Sequence, residues 1–233
     1  PVAMAIGGIV VSTGISRTSA RYPRQDMRIR AWRVPPFDNG TYLVIDARND
    51  AICIDPAQGE REVMRAVREE GLRLLAILDT HGHEDHIWDN AALQEATRAR
   101  LAVHRLDAYR LDPARRPRSL LPLRAPASVP DDLLEEGPIT YLADIELLAL
   151  HTPGHTEGST SFHLPTEGVL FSGDVLFAGN LGRVDLPGGD AAAMERSLAR
   201  LAALPAHTRV LPGHGAPTTI AAELPWLRSV RLG

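Results

Sequence analysis

Thr80-His81-Gly82-His83-Glu84-Asp85-His86, directly behind the apolar run Leu74-Leu75-Ala76-Ile77-Leu78, decides how this chain is read. The apolar run has the length and composition of a buried strand, and a strand end is a rigid place to hold side chains. Imidazole and carboxylate together make the donor set of a divalent metal. On an extended backbone His81 and His83 alternate around Gly82 and so point to the same side. Asp85 and His86 turn away and are placed to serve a second, adjacent ion.

Three further places repeat this logic. His155 stands in His151-Thr152-Pro153-Gly154-His155-Thr156, Asp174 in Phe171-Ser172-Gly173-Asp174, and His214 in Leu211-Pro212-Gly213-His214-Gly215. Each follows an expected strand, with a glycine that permits a sharp turn. The seven side chains divide sensibly: His81, His83 and His155 for one ion, Asp85, His86 and His214 for the other, Asp174 bridging. Two divalent ions about 3.5–4 Å apart hold a bridging hydroxide near neutral pH and polarise a carbonyl beside it. Neither a serine nor a cysteine nucleophile is then needed. His104, His151, His163 and His207 are read as structural, with support of a ligand the alternative for His151, and Glu84 as a solvent-facing or rim residue.

Outward from these motifs, strands are expected at Thr41 to Asp46, Ala51 to Asp55, Leu74 to Asp79, Ile145 to Leu150, Ser159 to Leu164, Val169 to Ser172 and Thr208 to Leu211. Helices are expected at Gly59 to Glu70, stopped by Gly71, at Asn90 to Arg100, and at Asp190 to Leu204 with Asp190 as N-cap. Asp112 to Pro130, with five prolines, reads as a long irregular loop whose charges are solvated and which borders a binding site. Residues 1–27 read as an N-terminal extension and 28–233 as the catalytic domain. This order is not the strict alternation of a doubly wound sheet. Two similar halves fit better, each a small sheet backed by helices, packed face to face so that ligands meet at one edge.

Apolar residues make up 44% of the chain and charged residues 23%, the balance of a soluble globular protein. A net charge of −4 gives no basic footprint for nucleic acid or a membrane surface. The single cysteine, Cys53, lies in an apolar strand pattern and excludes an internal disulfide, which fits a reducing compartment, the cytoplasm. Pro1 to Val11 is apolar but has neither a basic start nor a clear small-residue cleavage site.

The motifs Thr80 to His86, His151 to Thr156, Phe171 to Phe177, Gly182 to Asp190 and Leu211 to Gly215 resemble the metallo-β-lactamase superfamily, and within it the hydroxyacylglutathione hydrolases, the glyoxalase II group. The resemblance runs from about Ile29 to His214. It implies an α/β fold, the four-layer αβ/βα sandwich, with a binuclear site and hydrolysis of thioesters such as S-lactoylglutathione. Zinc is the expected metal, with iron or manganese as alternatives. The β-lactamases similar in fold generally lack the bridging aspartate, so Asp174 points away from that activity. Nineteen residues follow His214, which resembles compact single-domain relatives rather than those with a C-terminal helical region. The persulfide dioxygenases of the same superfamily use one iron on two histidines and an aspartate, a set that His81, His155 and Asp174 could supply. They typically place a cysteine where this chain has Leu181. Asp85 is expected to orient the hydroxide as well as bind metal, and Arg183 to contact substrate or to pair with Asp185 or Asp190. Other lactone-cleaving or related hydrolases of the fold remain the alternative reading.

Overall fold

The computed structural model describes residues 27–118 and 124–232. The expected extension lies outside them apart from Met27, as do residues 119–123 of the proline-rich loop. β1 (Arg28–Val34), β2 (Asn39–Ile45) and β3 (Asp50–Ile54) form an antiparallel meander. Asn49, at φ 63°, makes the tight turn between β2 and β3. α1 (Glu60–Glu69) crosses to β4 (Arg73–Leu78), which lies parallel to β3. α1 forms because Val63 and Ala66 give it a buried face, with Glu60 and Glu62 in the first turn and Arg68 in the last complementing its dipole. Gly71, at φ +63°, ends it as expected.

After β4 come the short α2 (Glu84–Ile87), α3 (Asn90–Thr97), β5 (Arg100–His104) parallel to β4, and the edge strand β6 (Asp132–Leu134). Here the expected helix was too long. It stops at Thr97 because Arg98 turns left-handed at φ 63°, and Arg100 already belongs to a strand. The second sheet starts with β7 (Gly137–Ile139), β8 (Leu147–His151), β9 (Thr160–Leu164) and β10 (Val169–Gly173), each antiparallel to the last. A small hairpin, β11 (Leu176–Phe177) with β12 (Asn180–Leu181), precedes α4 (Ala191–Leu201). α4 returns the chain to β13 (Arg209–Pro212), parallel to β10, and β14 (Thr218–Thr219) and α5 (Ile220–Leu227) follow.

Each half therefore holds a six-stranded mixed sheet. In β2 and β3 every residue is buried because the strands are covered on both faces. Tyr42, Val44, Ile52 and Ile54 turn inward to meet Phe162, Leu164, Val169 and Phe171 of the other sheet. Leu43, Ile45 and Cys53 face outward onto Val63 of α1 and Leu93 of α3. On the far side Leu170 and Val210 pack under Met194, Leu198 and Ile220. The order of layers is helix, sheet, sheet, helix, the four-layer sandwich. Cys53 is fully buried, as its strand pattern implied. Among the described residues no helix is long and apolar enough to cross a membrane.

Candidate metal centre

Strand ends carry the site. β4 delivers His81 and His83 and runs into α2, which presents Asp85 and His86; β8 leads to the turn of His155; Asp174 directly follows β10; His214 follows β13. Two glycines make this crowding possible. Gly173 is left-handed at φ +51° and sits against the Thr80 side chain, and a Cβ on Gly213 would strike the Asp174 carboxylate.

All seven expected donors converge. His83 Nδ1 lies 3.1 Å from His81 Nε2 and 2.8 Å from His155 Nε2. His214 Nε2 lies 3.3 Å from His86 Nε2 and 3.2 Å from Asp85 Oδ2. Between the two groups stands Asp174, with Oδ1 3.4 Å from His86 Nε2 and Oδ2 3.5 Å from both His155 Nε2 and His214 Nε2. His81, His83 and His155 form one compact donor triad and Asp85, His86 and His214 another.

The far nitrogens of four rings are already committed. His155 Nδ1 donates to the Arg183 carbonyl at 2.7 Å, and His214 Nδ1 to that of Phe37 at 2.8 Å. His86 Nδ1 donates to Asp55 Oδ2 at 2.9 Å. Thr80 gives its hydroxyl proton to Asp55 at 2.7 Å, which leaves its oxygen to accept from His81 Nδ1 at 3.1 Å. A ring that donates from Nδ1 aims the lone pair of Nε2 inward. Facing lone pairs repel unless a cation stands between them.

The electrostatics agree. Burial, with His86 and His83 nearby, pushes His81 well below the ordinary imidazole range. Burial and His155 take His83 down to about 3. Burial also pushes the Asp174 carboxyl up, but His86, His214 and His155 outweigh it and hold the group at about 2. Asp85 is held low in the same way, burial being overcome by His86, His214 and the amide of Asn39. Against their own burial, His86 is raised by Asp174, Asp85 and Asp55, and His214 by Asp85 and Asp174. His81 and His83 thus present neutral lone pairs, while the triad of Asp85, His86 and His214 is rich in negative charge and holds protons where a cation would sit. Asp174 Oδ1 is buried without a hydrogen-bond partner, the sign of a donor set built for an ion. The residues fit two divalent metals.

Several expectations need correction. Glu84 is not solvent-facing: it lines the cavity above the ligands but is only 5% exposed, because α2 turns it onto Arg116 (3.1 Å) and Arg124 (3.6 Å). The charges of the 112–130 loop are therefore not all solvated, since the Arg116 side chain is buried in that pair. The loop does border the site, with Arg116, Pro117 and Arg118 lining the cavity above the ligands. His151 touches no ligand; it stacks on His104 and donates to the Glu157 carbonyl at 2.9 Å. Arg183 lines the cavity and is bound to Asp185 at 2.8 Å, whereas Asp190 caps α4 through the Ala193 amide.

Sequence reasoning missed two buried carboxylates. Asp55 fastens Thr80 and His86 from behind. Asp107 accepts from the Gly82 amide, the Thr156 hydroxyl and the Gly158 amide, all between 2.7 and 2.8 Å, so it ties the His81–His83 loop to the His155 turn. Asp55 gave a signal, an acid at a strand end like the ligands themselves; Asp107 gave none.

The metallo-beta-lactamase superfamily profile matches residues 35–214. The hydroxyacylglutathione hydrolase of Cereibacter sphaeroides is 37% identical over 177 residues, which is 76% of this chain but 62% of that protein. This chain thus spans under two thirds of that relative's length. The BLEG-1 B3 metallo-beta-lactamase superposes with a TM-score of 0.80 and 34% identity, over 86% of this chain and 99% of that one. TTHA1623, solved in a di-iron-bound form, superposes with a TM-score of 0.70 and 36% identity, over 83% and 96%. The chain belongs to the metallo-beta-lactamase superfamily.

Proposed function

We propose that the protein is a binuclear hydrolase of small-molecule thioesters of the S-lactoylglutathione kind, acting in the cytoplasm without a nucleic-acid or membrane partner. The observation that carries this reading is Asp174, a buried carboxylate with one unpartnered oxygen set between two donor triads. His81, His83 and His155 would hold one ion, Asp85, His86 and His214 the other, and Asp174 both; zinc suits the donors, and iron or manganese does so as well. Ions so held make hydroxide available near neutral pH and polarise a carbonyl oxygen.

The chain's own residues prepare the rest. Asp85, fixed by the Asn39 amide at 3.1 Å, stays ionised and accepts a hydrogen bond from the attacking water, which aims its lone pair at the thioester carbon. The water oxygen bonds to that carbon, the carbon–sulfur bond breaks, and the sulfur leaves with its electron pair. Products are a carboxylic acid and a thiol, one water being consumed. A thiol of pKa ~8.5 departs without a strong general acid. This suits a cavity that has no lysine to protonate the leaving group.

Elemental analysis of the purified protein, joined to a panel of thioester, lactone and β-lactam substrates, tests the reading. Two ions per chain and cleavage of S-lactoylglutathione-like thioesters are expected, with a loss of at least a hundredfold in His81→Ala. Full activity in that variant would sink the site assignment. One iron per chain with oxygen uptake would replace the hydrolase by a persulfide dioxygenase. Selective lactone or β-lactam cleavage would replace its substrate.

A further inference from the structure

Above the ligands opens a cavity of about 410 Å³ with an uneven charge account. Four guanidinium groups line it, and two are neutralised from within. Arg110, 2% exposed, reaches Glu157 and the Pro187 carbonyl, and Arg116 reaches Glu84. The other two face the opening. Arg183 and Asp185 pair at 2.8 Å with side chains 59% and 66% exposed, an arrangement that water screens and a stronger ligand displaces cheaply. Arg118 lines the same cavity, is exposed, and has no carboxylate partner among the described residues.

Among the described residues no acid of the cavity is left to answer Arg118. Glu84 is held by Arg116, and Asp85 and Asp174 belong to the histidine cluster. Nor does the excess reflect a basic protein, since the chain carries −4 overall. Its cationic side chains are all arginine, with no lysine, and a guanidinium fork matches the two oxygens of a carboxylate. Phe177, Leu181 and Leu186 add an apolar wall to accompany that charge.

We infer that this cavity selects thioesters bearing a carboxylate, which Arg118 receives and Arg183 flanks. The inference rests on the thioester-hydrolase reading and deepens it. The carboxylate could lie in the thiol half or the acyl half of the substrate.

The test uses metal-loaded protein and two matched substrate pairs. S-acetyl mercaptopropionate carries the charge on the thiol half and S-propyl thiosuccinate on the acyl half, each set against its neutral carboxamide. In the wild type, amidation is expected to raise KM about tenfold or more in at least one pair, which identifies the half that faces Arg118. Arg118→Gln should erase that discrimination by raising KM for the acid more than for the amide, and Arg118→Lys should restore part of it. Discrimination that survives Arg118→Gln, or is absent from the wild type, overturns the inference. Cleavage of none of the four thioesters would count against the hydrolase reading instead. The subsite is then judged by calorimetry with the thioether S-propyl mercaptopropionate and its amide. Tighter binding of the acid, lost in Arg118→Gln, sustains it; equal binding in the wild type refutes it.

Discussion

Asp55 is no ligand in either donor triad, yet it sets the direction of two histidines. Its Oδ2 accepts from His86 Nδ1 at 2.9 Å and from the Thr80 hydroxyl, through which His81 is steered in turn. Removing such an outer partner typically costs ten- to a hundredfold in metal affinity. Asp55→Ala should therefore weaken the ion held by His86 by that factor, measured by competition with a chromogenic chelator; unchanged affinity would show the contact to be incidental. At this scale the ligands were legible because each stands within a few residues of a strand end and a glycine. The roles of Asp55 and Glu84 were not, although Asp55 stands at a strand end like the ligands, because their partners are distant in sequence: His86 lies 31 residues beyond Asp55, and Arg116 lies 32 residues beyond Glu84.

Elements carry the site only as far as their ends are tied down. α4 shows a legible tie: Asp190 sits where an N-cap belongs, and its carboxylate accepts from the Ala193 amide at 2.9 Å. The same residue's amide donates to the Gly154 carbonyl, so capping α4 also anchors the His155 turn. Asp190→Ala should cost about 1 kcal/mol of stability, seen as a lowered urea midpoint at constant m-value. The boundary between α3 and β5 was illegible because Arg98, an ordinary helix former, is turned left-handed by the chain's need to enter the sheet. Asp107 is the tie that no element pattern reveals. Its carboxylate only accepts, from three donors, and an amide in its place turns an N–H₂ toward at least one of them. Asp107→Asn should destabilise the fold by about 1–3 kcal/mol. It should also weaken metal binding, since the Gly82 and Thr156 contacts join the His81–His83 loop to the His155 turn; a normal metal titration in a destabilised variant would confine Asp107 to a structural role.

The whole molecule is two half-sandwiches, and each half supplies part of the donor set. They are fastened near the ligands by Gly40 N to Gly213 O at 2.7 Å and by Thr160 N to Thr80 O at 2.8 Å. Elsewhere they meet at a pair of imidazoles. His104 ends β5 of the first sheet and His151 ends β8 of the second, with rings stacked at 4.2 Å and 9°. Burial first, then the nearness of His151 and Arg105, brings His104 down from 6.5 to about 4. Glu136, which accepts from the His151 amide, is itself engaged by Arg200. On unfolding His104 regains its ordinary pKa, so between pH 6.5 and 4 the unfolded chain binds a proton that the folded one refuses. Stability is full above about pH 6.5 and falls as pH drops toward 4, by up to about 3 kcal/mol from this one group. His104→Phe keeps an aromatic ring against His151 and removes the titration. In the presence of a chelator, which takes ion loss out of the comparison, urea unfolding at pH 8 and pH 4.5 should show a smaller drop in stability for this variant than for the wild type. Equal drops would mean that the seam between the two halves does not sense pH through His104.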